Sequence, residues 1–191
     1  MQQTNTRRLI GIAMMAACSY VLLFLAFPIL PLFSWLKVDF SDVVVLISTF
    51  LYGPWGGIIT AFLRSLLYFI TSGANLPAFI GDAAGFIASV VYVLPIYWLF
   101  KRRPNWQGRF TGYVLGTISL TVVMSLLNYW LITPLYMQVI GLKLGMPLAK
   151  YILFGVAPFN LVKGILVAVV FAILYVRLVP WMKRHQSVMT K

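Results

Sequence analysis

The run APFNLVKGILVAVVFAILYV, residues 157–176, carries an asparagine and a lysine inside an otherwise apolar stretch. Asn160, Lys163 and Gly164 fall at i, i+3 and i+4, which puts them on one face of a helix, with the glycine leaving space beside the lysine. A lysine ammonium offers three donors and an asparagine amide both donates and accepts, so such a face can hold a polar ligand. Four more polar residues sit at the ends of apolar runs: Asn128 before YWLITP, Asp82 in NLPAFIGD, and Asp39 and Asp42 in LKVDFSD. The chain has only three acids, and any of them can be the partner that neutralises Lys163.

Two chemistries compete for these residues. One is ligand binding. The other is an intramembrane hydrolase with a Ser–Lys pair, for which Ser41, Ser72 or Ser125 would supply the nucleophile, although no serine lies within a helical turn of Lys163 in sequence. No GxxxxGK[ST] is present, so no P-loop cradles a nucleotide. HExxH is absent as well, and the single histidine, His185, stands in the basic tail, which leaves metal-based hydrolysis without support.

The elements that position these residues must be membrane helices. Of 191 residues, 62% are hydrophobic and 9% charged, against about 25% charged in soluble domains. A hydrocarbon core needs about 20 apolar residues per crossing, so the whole length suits one compact helical bundle, residues 1–191 as a single transmembrane domain. The net charge of +12 does not indicate nucleic acid, because the basic residues lie in short clusters between apolar runs, as loops facing anionic lipid do. The lone Cys18 has no disulfide partner. Arg7 and Arg8 before Leu9–Phe27 resemble a signal peptide, but that stretch is long enough to span and is expected to be a retained first helix.

The apolar segments are 9–33, 40–52, 56–70, 79–100, 110–133 and 156–180. The second and third are short and divided by GPWGG at 53–57, which fits either two short helices or one broken one. Placing Arg7/Arg8, the Lys101–Arg109 cluster and the tail Lys183, Arg184 and Lys191 all on the cytoplasmic side requires six helices, with GPWGG a tight turn and both termini inside. Loops 28–39, 71–78 and 134–155 are then outside, the last with a short interfacial helix as a lid.

On this scheme Lys163 lies roughly 3–8 Å below the outer end of its helix and Asn128 about 7 Å below its own, at 1.5 Å per residue. Snorkelling competes with a pocket as the explanation of Lys163, and the gathering of several polar groups at one depth favours the pocket. Asp82 reads equally well as a helix N-cap, and Asp39 and Asp42 suit the start of helix 2. Phe40, Phe79, Tyr129 and Phe159 stand near the group and are candidates to sandwich a planar ligand, while Trp35, Trp98, Trp106, Trp130 and Trp181 read as interfacial belt residues. Ala13 and Ala17, one turn apart on helix 1, give small-xxx-small spacing, either for packing inside the bundle or for docking another membrane protein.

Taken together and in order, the Ala13/Ala17 pair, KVDFSDVVVLI at 37–47, YGPWGG at 52–57, LPAFIGD at 76–82 and APFNLVKG resemble the substrate-binding S-components of energy-coupling factor (ECF) vitamin transporters, and among them the riboflavin-specific members. The resemblance implies an all-α bundle of six transmembrane helices in a bacterial cell membrane, not an enzyme. Such a subunit captures riboflavin from outside, or another flavin such as FMN or roseoflavin, or another vitamin. It delivers the ligand inward when docked to a transmembrane coupling subunit with two ATPases, which explains the missing P-loop. It also implies that Asn128, Asn160 and Lys163 meet the polar edge of the ligand, that the loop around Leu36, Asp39 and Phe40 closes over it, that Gly81 and Asp82 lie near it, and that Ala13 and Ala17 face the coupling subunit. No cofactor beyond the transported riboflavin is implied.

Overall fold

A computed structural model describes residues 2–189, with side chains described over 5–177. The side chains of Trp181, Lys183, Arg184 and His185, and all of Lys191, lie outside this range. Among the described residues five helices are long and apolar enough to cross a membrane. Helix α1 spans Gln2–Leu23 and ends four residues before the expected Phe27. A connection follows in which Phe27–Pro28 (β1) pairs antiparallel with Lys37–Val38 (β2) around a 3-10 turn at Pro31–Phe33. Then come α2 (Ser41–Thr71), α3 (Leu76–Arg102) and α4 (Trp106–Leu127), the last continuing through a π turn at Asn128–Ile132 into α5 (Thr133–Val139). After residues 140–147, α6 (Leu148–Tyr151) runs through a second π turn at Ile152–Val156 into α7 (Ala157–Met189).

Helix α2 is two arms folded back on each other. In a straight helix residues 48 and 60 would stand roughly 18 Å apart at 1.5 Å per residue. Here the Ser48 and Thr60 hydroxyls are 2.6 Å apart. The reversal is made at Gly53 (φ 80°, ψ 178°), a conformation essentially reserved for glycine, with Pro54 opening the second arm. Gly57 lets the arms touch, since a Cβ there would stand 1.9 Å from Thr49 Oγ1. Gly53→Ala is therefore expected to destabilise the protein by about 1–3 kcal/mol, seen as a lower melting temperature in detergent; unchanged melting would show that the turn tolerates a side chain.

Two prolines that were expected to bound an outer loop do not stop their helices. A π turn lies just before each of Pro134 and Pro158, and such local adjustments re-satisfy the backbone groups a proline frees in a spanning helix. The anticipated 134–155 loop shrinks to residues 140–147, and the two helices extend by roughly two turns each. Counted from the new ends, Asn128 lies roughly 16 Å and Lys163 roughly 22 Å along their helices, farther from those ends than the sequence count placed them.

Arg8 donates to the Tyr52 carbonyl beside the α2 turn, and the Lys101–Arg109 cluster joins α3 to α4 at the same end. Phe50, Phe100, Tyr113, Phe171 and Tyr175 plug that end, with Phe50 stacked on Phe171 at 5.5 Å. The polar residues gather toward the opposite end.

Candidate functional site

Lys163 sits against two carboxylates. Its Nζ lies 3.1 Å from Asp42 Oδ2 and 3.5 Å from Asp39 Oδ2, and its side chain is 13% exposed. Asp39 also receives the backbone N–H of Ser41 at 2.8 Å and the Ser41 hydroxyl, which ties it to the first turn of α2. Asp42 receives the Ser89 hydroxyl from α3 and the Arg64 guanidinium from the second arm of α2, the latter at 3.0 Å. This is a buried cluster of two acids and two bases held by three helices. An ammonium so engaged has no free lone pair with which to act as a base, so the Ser–Lys hydrolase finds no support here.

Above Lys163 opens a cavity of about 360 Å³, within the range of roughly 300–1,000 Å³ common for small-molecule sites. Asn128 and Asn160 supply amides, each spending one N–H on the carbonyl four residues back in its own helix, at Met124 and Val156. One π turn begins at Asn128 and the other ends at Val156, the carbonyl that accepts from Asn160, and such widened turns are a common feature of functional sites. Aromatic surface comes from Trp35, Tyr136, Tyr151 and Phe159, and Gly81, Ala84, Gly85 and Ala88 leave a smooth wall on α3. Gly81 leaves room for Tyr136, since a Cβ there would stand 2.7 Å from the tyrosine hydroxyl and displace it.

The connection after α1 forms part of the roof. Trp35 Nε1 donates to the Tyr151 hydroxyl at 3.0 Å, Phe33 packs edge-on against Tyr151 at 5.2 Å, and Leu36 and Lys37 line the cavity. A larger recess of about 540 Å³ between α4 and α7 is walled almost entirely by hydrocarbon and aromatic rings, and it offers little to orient a polar ligand.

The family of ECF transporter substrate-specific components fits residues 7–175. The chain belongs to that family.

Among its relatives this S-component is 39% identical over 185 residues to the riboflavin transporter RibU of Staphylococcus aureus, covering 96% of this chain and 95% of that one. It is 34% identical over 185 residues to the riboflavin transporter FmnP of Bacillus subtilis, at 96% and 97% coverage. A solved structure of the S component of a bacterial ECF transporter superposes with a TM-score of 0.79 at 38% identity, covering 94% of this chain and 99% of that one. Membership makes the chain a multi-pass membrane transport component of bacterial type and not an enzyme.

Of the residues singled out in the sequence, Leu36, Gly81, Asn128, Asn160 and Lys163 of this S-component line one cavity. Asp39, Phe40 and Asp82 do not. Asp39 stands behind Lys163, and Phe40 packs against Phe27 at 6.2 Å. Asp82 is not the N-cap of α3, since Asn75 takes that role by accepting from the Ala78 N–H. Its Oδ2 is instead buried without a hydrogen-bond partner. Of the four rings proposed for stacking only Phe159 lines the cavity; Phe79 pairs with Phe69 and Tyr129 with Trp130, both largely exposed. Trp35, expected in the interfacial belt, is a roof residue.

Gly164 serves the helix contact rather than the lysine, since a Cβ would stand 2.7 Å from the Thr117 side chain. Snorkelling is displaced as the explanation of Lys163 by its two carboxylate partners. Arg64 was missed entirely. Its signal was available: a lone arginine inside the apolar segment 56–70, which a membrane helix keeps only when the charge is paired.

Proposed function

We propose that this S-component binds riboflavin in the 360 Å³ cavity and is the substrate-capturing subunit of an ECF transporter. The observation that carries the proposal is a single cavity joining Asn128, Asn160 and Lys163 beneath an aromatic roof. It is supported by relatives over nearly the full length that are themselves riboflavin transporters. A flavin has a planar apolar body and one polar edge of carbonyls and ring nitrogens, which suits aromatic walls with amide and ammonium donors at one end. Asn128, Asn160 and Lys163 meet that edge, while Leu36 and Gly81 contact the rings. Asp39 acts through Lys163, and Phe40 and Asp82 support the cavity from outside its wall.

The two arms of α2 count as separate crossings in this reading, which gives six, with both termini and the basic clusters in the cytoplasm. The cavity then opens outward. Energy for delivery comes from a coupling subunit and two ATPases, met through the Ala13/Ala17 face of α1.

Titrating purified protein with riboflavin and following quenching of flavin fluorescence tests the assignment. Saturable binding at nanomolar concentration without ATP is expected. An unchanged signal from wild-type protein would sink it, and tighter binding of FMN than of riboflavin would move the assignment to the phosphorylated flavin.

A further inference from the structure

Arg64 is absent from the cavity wall, yet it touches the groups that hold Lys163. Its Nη1 donates to Asp42 Oδ1 at 3.0 Å and to Ser41 Oγ at 2.7 Å. Its Nη2 donates to Ser89 Oγ at 2.8 Å and to the Gly85 carbonyl at 3.4 Å. The two acids divide their oxygens in the same way. Oδ1 of each is spent on Arg64, Ser89 or Ser41, and Oδ2 of each is left to Lys163. An ammonium has three N–H donors. Two carboxylates claim two of them.

We propose that Arg64 is a positioning residue for the ligand: by neutralising Asp42 it holds Lys163 across the two Oδ2 atoms with its third N–H turned to the cavity. The inference rests on Lys163 facing the ligand as proposed above. With Arg64 present, Asp39, Asp42, Arg64 and Lys163 sum to zero charge, and the site is built for an uncharged polar edge offering an acceptor. Without it the cluster carries one excess negative charge in low dielectric, and Lys163 is its only cation. The carboxylates then compete with the ligand for the lysine's donors, since a buried acid stripped of its partner draws strongly on whatever charge remains. The hairpin in α2 is what makes this arrangement reachable, because it brings residue 64 back beside residues 41 and 42.

Riboflavin titrations on R64M, R64K and the double variant R64M/D42N, with melting curves in the same detergent, test this. R64M is expected to weaken binding by about tenfold or more, whereas R64M/D42N, neutral again, returns to within about threefold of wild type. R64K keeps the charge but not the two-nitrogen fork that reaches Ser41, Asp42, Ser89 and the Gly85 carbonyl, so it is expected to bind between wild type and R64M, and R64M/D42N keeps the test readable if R64M does not fold. Wild-type affinity in R64M, or an R64M/D42N protein that melts normally and binds at least about tenfold more weakly than wild type, would overturn the inference, as would R64K binding more weakly than R64M. If wild-type protein itself fails to bind riboflavin, the functional assignment falls and this inference with it.

Discussion

Lys163→Ala is expected to lower riboflavin affinity by about 10- to 100-fold and to lower the melting temperature of the protein at the same time. A hydrogen bond to a charged group contributes about 1.5–3 kcal/mol, and each 1.4 kcal/mol is about tenfold in affinity. The stability loss has a different origin. Removing the ammonium leaves Asp39 and Asp42 facing the single guanidinium of Arg64, and breaking a buried ion pair from one side costs about 3–5 kcal/mol. The two effects separate in K163A/D42N, where one acid and one base remain. That double variant should regain melting temperature without regaining affinity. Flavin fluorescence titration and thermal melting measure the two quantities independently, and an affinity unchanged in K163A would reduce Lys163 to a structural cation.

Ala13→Trp or Ala17→Trp should leave riboflavin binding by purified protein unchanged and reduce vitamin uptake to background in cells carrying the coupling subunit and ATPases. Both alanines are exposed on α1, whereas Ile12, Ala16 and Ser19 are buried against the bundle. Gly11 is on the packed side too, where Tyr52 approaches so closely that a Cβ would stand 2.1 Å from its hydroxyl oxygen. Packing inside the bundle is thus not what the Ala13/Ala17 pair is for. Small residues spaced four apart on an exposed membrane face let a second helix approach closely, and an indole there holds it off. Radiolabelled uptake in cells and flavin titration of the purified protein are the two measurements. Loss of binding in either variant would place the defect in the fold rather than in docking.

The all-α membrane class and five of the cavity-lining residues were legible in the sequence because both depend on local chemistry. Apolar runs of spanning length can be stable only as membrane helices, since lipid offers the backbone no hydrogen-bond partners. An asparagine and a lysine three residues apart in such a run must share a face whatever the rest of the chain does, and Asn160 and Lys163 do. GPWGG likewise announced a break, and Gly53 makes it.

Helix ends were less legible. Pro134 and Pro158 are stop signals in isolation, and only the π turns before them show that the helices continue. The distances of Asn128 and Lys163 from their helix ends were therefore underestimated.

Pairing across helices was not legible at all. Nothing in the order of residues says that Lys163 meets Asp39 and Asp42, that Trp35 meets Tyr151 across 116 positions, or that Arg64 reaches Asp42 and Ser89. A polar group in lipid must find a partner, and that necessity is written into its residue type. Which partner it finds depends on where the Gly53 turn returns the second arm of α2 and how α3 and α7 pack around it, which is a property of the assembled bundle alone.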